Sequence, residues 1–220
     1  TPNTASILQD KLGARQVGAF DINNACTGFV SATDIADSYI KSGKAKTVLV
    51  VSAETLSRIV DYTDRSTCIL FGDGAAAAVY QATEDETVGI LSTFTAADGS
   101  GAEYLHMEAL PVEDPLSGDR MVDPKARFLK MQGAPVVRFT ARAVPLAIDT
   151  ALKRAGVTAE EIDWVVPHQA NLRILDVIAR RYHLPKEKIY VNMDRFGNTS
   201  SASVPICLNE MRKNGLLHEG

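Results

Sequence analysis

Cys26 is positioned in the sequence where a nucleophile could emerge from an α/β fold. It follows a short apolar segment at 17–22 and precedes a helical pattern, so it is predicted to lie in a turn between a strand and a helix. Unpaired N–H groups at a helix start favour a thiolate, which is the reactive form of cysteine. Cys26 is therefore a candidate nucleophile, and the alternative interpretation is a small buried apolar side chain.

Two more polar residues occupy turns of the same kind. His168 follows the strand-like run Asp163–Pro167 and precedes a helix, where catalytic groups of α/β sheets often lie, although a surface-loop histidine is the alternative. Asn198 lies in the turn 196–202 before another helix. It could cap that helix or donate a hydrogen bond into a site. It also satisfies the N-x-[ST] glycosylation pattern, which a cytoplasmic chain disfavours.

The elements that must position these residues follow from hydrophobic periodicity. Strands are predicted at 17–22, 47–52, 74–80, 88–95, 162–166 and 189–192, and helices at 4–12, 26–42, 134–155, 172–182 and 201–213. Strands that alternate with helices indicate an α/β fold with mainly parallel pairing. The chain is divided into an N-terminal half (1–95) with the candidate nucleophile, a Gly-, Pro- and Asp-rich linker or substrate loop (96–132), and a C-terminal half (133–220) with the histidine and asparagine.

Composition excludes several classes of function. The net charge is −4 and the pI about 5.6 without a long basic run, which disfavours binding to nucleic acid or a membrane surface. No apolar stretch approaches the roughly 20 residues that span a bilayer. The three cysteines, Cys26, Cys68 and Cys207, form no C-x-x-C, and the histidines form no metal-ligand spacing. These features predict a cytoplasmic protein with neither a disulfide framework nor a metal site.

Three motifs together are much more specific than any one of them. The segments Ala25–Phe29 (ACTGF), Pro167–Arg173 (PHQANLR) and Gly197–Ala202 (GNTSSA) resemble the β-ketoacyl-[acyl-carrier-protein] synthase III family of condensing enzymes. The pairs at 64–65 and 194–195 and the turn at 71–75 fit the same pattern. The resemblance extends over nearly the whole chain, in order and at compatible spacings.

The resemblance implies a thiolase-like fold of two similar α/β halves with mixed, mainly parallel sheets and a buried helix layer, usually in a homodimer. Cys26 matches the family nucleophile, and His168 and Asn198 match the pair beside it. The family transfers a short acyl group from coenzyme A to cysteine. It then condenses that group with malonyl-[acyl carrier protein] and releases carbon dioxide, and no cofactor is required.

Further positions carry over from the family in three groups. The coenzyme A and pantetheine channel is expected at Arg65, Met131, Gly133, Ala170, Asn171 and Ile174. The acyl pocket is expected beside Leu56 and Phe71. A basic patch that docks the acyl carrier protein is expected at Arg138, Arg173, Arg180 and Arg181, for which plain surface solvation is the alternative.

Members of the family begin before the position of Thr1 and continue past that of Gly220, so we expect these 220 residues to be part of a longer enzyme. The nearest rival function is a related starter-unit acyltransferase or condensing enzyme of polyketide synthesis. A rival of another class is an inactive, synthase-like partner subunit, which has no reason to retain Cys26, His168 and Asn198. Thiolases are disfavoured by the lack of a second catalytic cysteine, and plant-type polyketide synthases by the sequence around His168.

Overall fold

A computed structural model describes residues 3–108, 116–118 and 125–218. The predicted linker at 96–132 therefore lies partly outside the described residues, as do the first two residues of the predicted N-terminal half and the last two of the C-terminal half. The division of the chain into halves at these boundaries stays a prediction.

Helices and strands alternate along the described residues. The helices are α1 Thr4–Lys11, α2 Gly28–Lys41, α3 Gly133–Ala155, α4 Leu172–Arg181, α5 Met193–Phe196 and α6 Ser203–Lys213. The strands are β1 Thr47–Thr55, β2 Asp73–Gln81, β3 Leu105–His106 and β4 Lys130–Met131. Short 3-10 turns lie at Ala25–Thr27, Leu56–Arg58, Gly99–Tyr104, Lys186–Lys188 and Ser200–Ala202.

The longest ladder joins β1 and β2 in antiparallel register, from Thr47 opposite Gln81 to Thr55 opposite Asp73. The β3–β4 pair is antiparallel as well. Mainly parallel pairing was therefore the wrong expectation for these ladders, because the chain between β1 and β2 turns back without a crossover helix. Parallel pairing occurs as isolated bridges, Phe71 with Asn198 and Val165 with Ile189.

Two apolar clusters hold the elements together. The first joins α2 to the β1–β2 ladder through buried Phe29, Ala36 and Val50, and Val204 and Leu208 of α6 pack against it. A helix from late in the chain thus completes the core around the candidate nucleophile's helix. Burial alternates along β1, and the buried face, which includes Val50, packs against α2.

The second cluster joins α3 and α4 to the Val165–Ile189 bridge. Leu175, Ile178 and Ala179 are buried on one face of α4, as their spacing predicts, and pack with Ile189. Tyr182, just after α4, donates its hydroxyl hydrogen bond to either the Pro145 carbonyl or the Asp149 carboxylate of α3, at 3.0 and 2.7 Å.

Four of the six predicted strands were wrong. Residues 162–166 and 189–192 meet only in the isolated bridge of Val165 with Ile189. Residues 17–22 and 88–95 form no regular strand, and the side chains of Val17 and Phe20 are 56% and 49% exposed. An apolar run becomes a strand only when another strand accepts its hydrogen bonds, and none does so within the described residues. The predicted helices at 26–42, 134–155, 172–182 and 201–213 are confirmed to within two residues at each end. Among the described residues, no helix is long and apolar enough to cross a membrane.

Candidate active site

Cys26 lies in the 3-10 turn Ala25–Thr27, directly before α2. The turn is held by the Thr27 N–H and hydroxyl, which both donate to the Asn24 carbonyl at 3.1 and 2.8 Å. Ala25 has a φ of +42°, a left-handed conformation that costs a non-glycine residue about 1 kcal/mol or more. This turn contacts another 3-10 turn, Ser200–Ala202, which comes from the C-terminal part of the chain.

The surroundings of Cys26 favour the thiol over the thiolate. Burial is the largest effect and raises the pKa of Cys26, a hydrogen bond with the Ser200 side chain lowers it, and the negative charge of Glu54 raises it. The expectation that the helix start would increase the thiolate fraction was therefore wrong in direction. Burial and the Glu54 carboxylate both raise the pKa of Cys26, and both act through contacts that the local sequence does not contain.

His168 lies between the Val165–Ile189 bridge and α4. Burial lowers the pKa of His168 to about 4, although a hydrogen bond with the Ser200 backbone acts in the opposite direction. The imidazole is therefore neutral at pH 7 and has one N–H to donate. Its Nδ1 is buried without a hydrogen-bond partner in the part of the chain that the structure describes.

A buried polar network fixes the loop that carries His168. The Gln169 side chain is 1% exposed and donates to the carbonyls of Pro167 and Tyr190 at 3.0 and 3.1 Å. Its Oε1 accepts from the Asn192 N–H at 3.0 Å, and the Asn192 side chain donates to Glu210 of α6 at 2.6 Å. Gln169, the residue that follows His168, is thus tied to the segment 190–192 and, through Asn192, to α6.

The backbone of Asn198 is held by two hydrogen bonds to the segment around Phe71. Its N–H donates to the Leu70 carbonyl at 2.8 Å, and its carbonyl accepts from the Gly72 N–H at 2.9 Å. A side chain at Gly72 would not fit, because its Cβ would lie 2.2 Å from the Phe196 carbonyl oxygen. Only glycine permits the two segments to approach this closely.

Ser200 is the common neighbour of the three predicted catalytic residues. Its N–H donates to Asn198 Oδ1 at 2.8 Å, its side chain hydrogen-bonds Cys26, and its backbone lies beside His168. Its φ of +50° is left-handed, as at Ala25 on the opposing turn. The structure therefore brings Cys26, His168 and Asn198 together around one serine, with backbone strain on both sides.

The expected channel residues fall on several elements. Met131 ends β4, and its methyl carbon lies 3.9 Å from where a Cβ on Gly133, the first residue of α3, would be. Asn171 has a structural role, since its Oδ1 caps α4 by accepting from the Arg173 N–H at 2.9 Å. Ile174 packs against the second apolar cluster. Ala170 is partly buried next to the cap, and Arg65 is exposed in the turn before Phe71.

The acyl-pocket candidates are both partly buried. Leu56 begins the 3-10 turn that follows β1, and Phe71 forms the bridge to Asn198. Phe71 is thereby adjacent to the candidate site through the backbone. The roles of Leu56 and Phe71 in an acyl pocket stay predictions.

The expected basic patch divides into two parts. Arg173 and Arg180 of α4 line a groove of about 220 Å³ against α3, whose wall is otherwise mainly apolar, and Arg138 is exposed on α3. Arg181, in contrast, pairs with Asp149 at 3.0 Å. Two of the four arginines thus line the α3–α4 groove, a third is exposed on α3, and the fourth is paired within the fold.

Comparison with known proteins identifies the family. Residues 20–99 match the model of 3-oxoacyl-[acyl-carrier-protein (ACP)] synthase III, and residues 152–220 match the model of its C-terminal region. The two matches together cover more than half of the chain. The chain belongs to the 3-oxoacyl-[acyl-carrier-protein] synthase III family.

Individual relatives agree with this assignment. The β-ketoacyl-[acyl-carrier-protein] synthase III of Xanthomonas campestris pv. campestris is 48% identical over 222 residues, which is all of this chain and 66% of the relative. The crystal structure of 3-oxoacyl-[acyl-carrier-protein] synthase III from Aquifex aeolicus is 45% identical with a TM-score of 0.88, and the match covers all of this chain and 66% of that structure.

A third relative comes from polyketide synthesis. The priming β-ketosynthase of the R1128 polyketide pathway is 39% identical with a TM-score of 0.87, and the match covers all of this chain and 64% of that structure. The chain therefore spans about two thirds of the length of the synthases it matches. These likenesses confirm the predicted α/β class and thiolase-like fold.

Sequence analysis of this synthase-family chain missed two residues beside the candidate site. Ser200 lies inside the GNTSSA motif, and that motif could have drawn attention to it. Nothing in the motif, however, indicates that Ser200 contacts Cys26 and His168. Glu54 comes near the end of β1 and has no motif of its own, so only the folded chain places it against the 198–202 turn. Among the described residues, no cluster of three or more His, Cys, Asp or Glu side chains could hold a metal ion.

Proposed function

We propose that the protein is a β-ketoacyl-[acyl-carrier-protein] synthase III that initiates fatty acid synthesis. Cys26 accepts a short acyl group from coenzyme A, and the acyl group is then condensed with malonyl-[acyl carrier protein] to give 3-ketoacyl-[acyl carrier protein]. The observation that carries this proposal is the convergence of Cys26, His168 and Asn198 on Ser200 in a chain of this family.

The first step is acyl transfer to the nucleophile. The Cys26 sulfur attacks the thioester carbonyl, the carbon–sulfur bond to coenzyme A breaks, and the thiol proton leaves with the coenzyme A sulfur. Because burial raises the pKa of Cys26, the resting nucleophile is a protonated thiol. Deprotonation therefore accompanies the attack rather than preceding it.

The second step is decarboxylation followed by carbon–carbon bond formation. The bond between the malonyl methylene and its carboxylate breaks, carbon dioxide leaves, and the electron pair becomes an enolate whose oxygen is negative. The enolate carbon attacks the acyl group on Cys26, and the cysteine sulfur leaves. Two hydrogen-bond donors, Nε2–H of His168 and Nδ2–H of Asn198, stabilise the enolate oxygen by about 3 kcal/mol each.

The protonation state of His168 favours a donor over a base. A group with a pKa of about 4 takes up little proton at pH 7, so it is a weak proton acceptor. Its neutral N–H donates without the cost of burying a charge. Loss of carbon dioxide generates the carbanion directly, so the condensation step requires no strong base.

The substrates and partners of the proposed reaction follow from the same family. Acyl-coenzyme A would reach Cys26 beside Arg65, Met131 and Gly133, and the acidic carrier protein would dock on the α3–α4 groove through the exposed arginines. We also propose a homodimer, which would cover apolar side chains such as Val17 and Phe20. The proposed location is the cytoplasm, with no cofactor and no nucleic-acid or membrane partner.

The second candidate function is priming of polyketide synthesis, which the likeness to the R1128 priming β-ketosynthase favours. One assay separates the two. The protein is incubated with a panel of acyl-coenzyme A thioesters and with a malonyl-loaded carrier protein, taken either from fatty acid synthesis or from polyketide synthesis. The 3-ketoacyl product is measured by mass spectrometry. Product with short acyl groups and the fatty-acid carrier supports the proposal. Product with the polyketide carrier alone supports the second candidate, and absence of product with both contradicts the proposal.

A further inference from the structure

Glu54 is a carboxylate on the inward-facing side of a strand. The burial of β1 alternates, and Glu54 shares its face with the buried residues Val50 and Ser52, which pack toward α2. Its opposite neighbour on β2 is Gly74, which presents no side chain. A carboxylate in such a place costs free energy unless hydrogen bonds compensate for the lost water. Its partners therefore indicate what it does.

The partners of Glu54 belong to the turn that carries Asn198. Its Oε1 accepts hydrogen bonds from the Ser201 hydroxyl at 2.5 Å and from the Ser201 N–H at 3.3 Å, across 147 residues of sequence. The Ser201 side chain in turn touches the start of α2, where its Cβ lies 3.2 Å from the position of a Cβ on Gly28. One carboxylate thus connects β1, the 198–202 turn and the helix that follows Cys26.

We propose that Glu54 is a positioning residue that holds the Asn198 side of the site against Cys26. The inference rests on the proposed function for its catalytic consequence, although the geometry is independent of it. Ser201 is held by Glu54, and the preceding residue, Ser200, has a left-handed backbone and contacts both Cys26 and His168. Fixing Ser201 therefore fixes the serine that the three predicted catalytic residues share.

The same carboxylate also acts on the nucleophile through its charge. Burial is the largest cause of the raised pKa of Cys26, and the negative charge of Glu54 adds to it. Among the described residues, Glu54 is the charged group that acts on Cys26, and His168, which shares Ser200 as a neighbour, is neutral at the pH values of a thiol titration. A change of charge at position 54 is therefore expected to appear in the titration of Cys26.

Two substitutions separate the charge from the hydrogen bond. Glu54→Gln keeps an oxygen that accepts from Ser201 and removes the negative charge. Ser201→Ala removes the hydroxyl and keeps the charge. Asp73→Asn is the matched control, because Asp73, the first residue of β2, is an exposed carboxylate that accepts hydrogen bonds from Ser57 and whose charge is not among those acting on Cys26.

The measurement is the rate of Cys26 alkylation by iodoacetamide as a function of pH, with the modified residue located by mass spectrometry. Alkylation requires no condensation, so its result stands even if the proposed function fails. In Glu54→Gln we expect the midpoint of the alkylation rate to fall to lower pH, because a charge that raises the pKa of Cys26 is removed, and in Asp73→Asn to remain at the wild-type value. An unchanged midpoint in a folded Glu54→Gln protein contradicts the electrostatic part of the inference.

Ser201→Ala tests the positioning part. We expect its condensation rate to fall about tenfold while acetylation of Cys26 stays near the wild-type rate, because the turn that carries Asn198 is loosened and Cys26 remains in place. Glu54→Gln, which keeps the hydrogen bond, should retain most of the condensation rate at its own pH optimum. If Ser201→Ala leaves the ratio of condensation to acetylation unchanged, Glu54 does not position the site.

Discussion

The Ser200 N–H donates to Oδ1 of Asn198 at 2.8 Å, and this bond determines which end of the Asn198 amide can act as a donor. A backbone N–H must meet the carbonyl oxygen, so the amide nitrogen is directed elsewhere. Asn198 is only 9% exposed, and its backbone is held on both sides by the segment around Phe71. The donor group is therefore fixed before any substrate binds, which is what stabilisation of a developing oxyanion requires.

Asn198→Asp tests this donor. The carboxylate still accepts from Ser200 but cannot donate to the enolate oxygen and repels its charge, so we expect condensation to fall by about 10²–10³-fold or more. Acetylation of Cys26 should stay near the wild-type rate. Carbon dioxide release and the acetyl adduct are measured in parallel. Asn214→Asp, on an exposed residue after α6, is the control, and equal loss of both steps in Asn198→Asp would contradict the assigned role.

His168 should make stability depend on pH in one direction. Burial lowers its pKa from 6.5 to about 4 in the folded chain, so as the pH falls below 6.5 the unfolded chain takes up the proton first. The stabilisation is complete above pH 6.5 and is lost as the pH falls toward 4, by about 3 kcal/mol at most.

The measurement for His168 is the free energy of unfolding at pH 7.5 and 4.5 in the wild type and in His168→Gln, which cannot titrate. The wild type should lose more stability than the variant over this interval. An NMR titration of the His168 imidazole supplies a direct check. A midpoint above 6 would show that the ring is not held in its neutral form by burial.

Gly72→Ala should weaken the backbone hydrogen bonds that hold Asn198. The new Cβ would lie 2.2 Å from the Phe196 carbonyl oxygen, so the two segments must separate and the Gly72–Asn198 hydrogen bond must weaken. We expect the free energy of unfolding to fall by about 1–3 kcal/mol and condensation to fall more than acetylation. Gly18→Ala is the matched control, because no atom lies within 4 Å of its Cβ position. Equal stability and equal condensation rates in Gly72→Ala and Gly18→Ala would contradict the close approach of Gly72 to Phe196.

Local patterns predicted the parts of the fold that carry their own signal. The apolar spacing of Leu175, Ile178 and Ala179 defines α4, and the near-continuous β-branched run at 47–51 defines β1. The run at 17–22 has the same local character, but it depends on strands elsewhere to pair with it. Periodicity reports the preference of a segment and not the presence of a partner.

The candidate site likewise has features that the sequence predicts and features that depend on contacts between distant segments. The motifs around Cys26, His168 and Asn198 could be recognised from sequence, and the structure brings all three to Ser200. The protonation state of Cys26 could not be predicted, since it depends on burial and on a carboxylate that reaches the site from β1. Glu54 and Ser201 are 147 residues apart, and no local signal connects them.

The central claim is that Cys26 accepts the acyl group. It is tested most directly by mass spectrometry of the intact protein after incubation with acetyl-coenzyme A, beside Cys26→Ala and the buried-cysteine control Cys207→Ala. We predict a gain of one acetyl group, about 42 Da, in the wild type and in a folded Cys207→Ala, and none in Cys26→Ala. An adduct that persists in Cys26→Ala, or no adduct in the wild type with any short acyl-coenzyme A, would contradict the account.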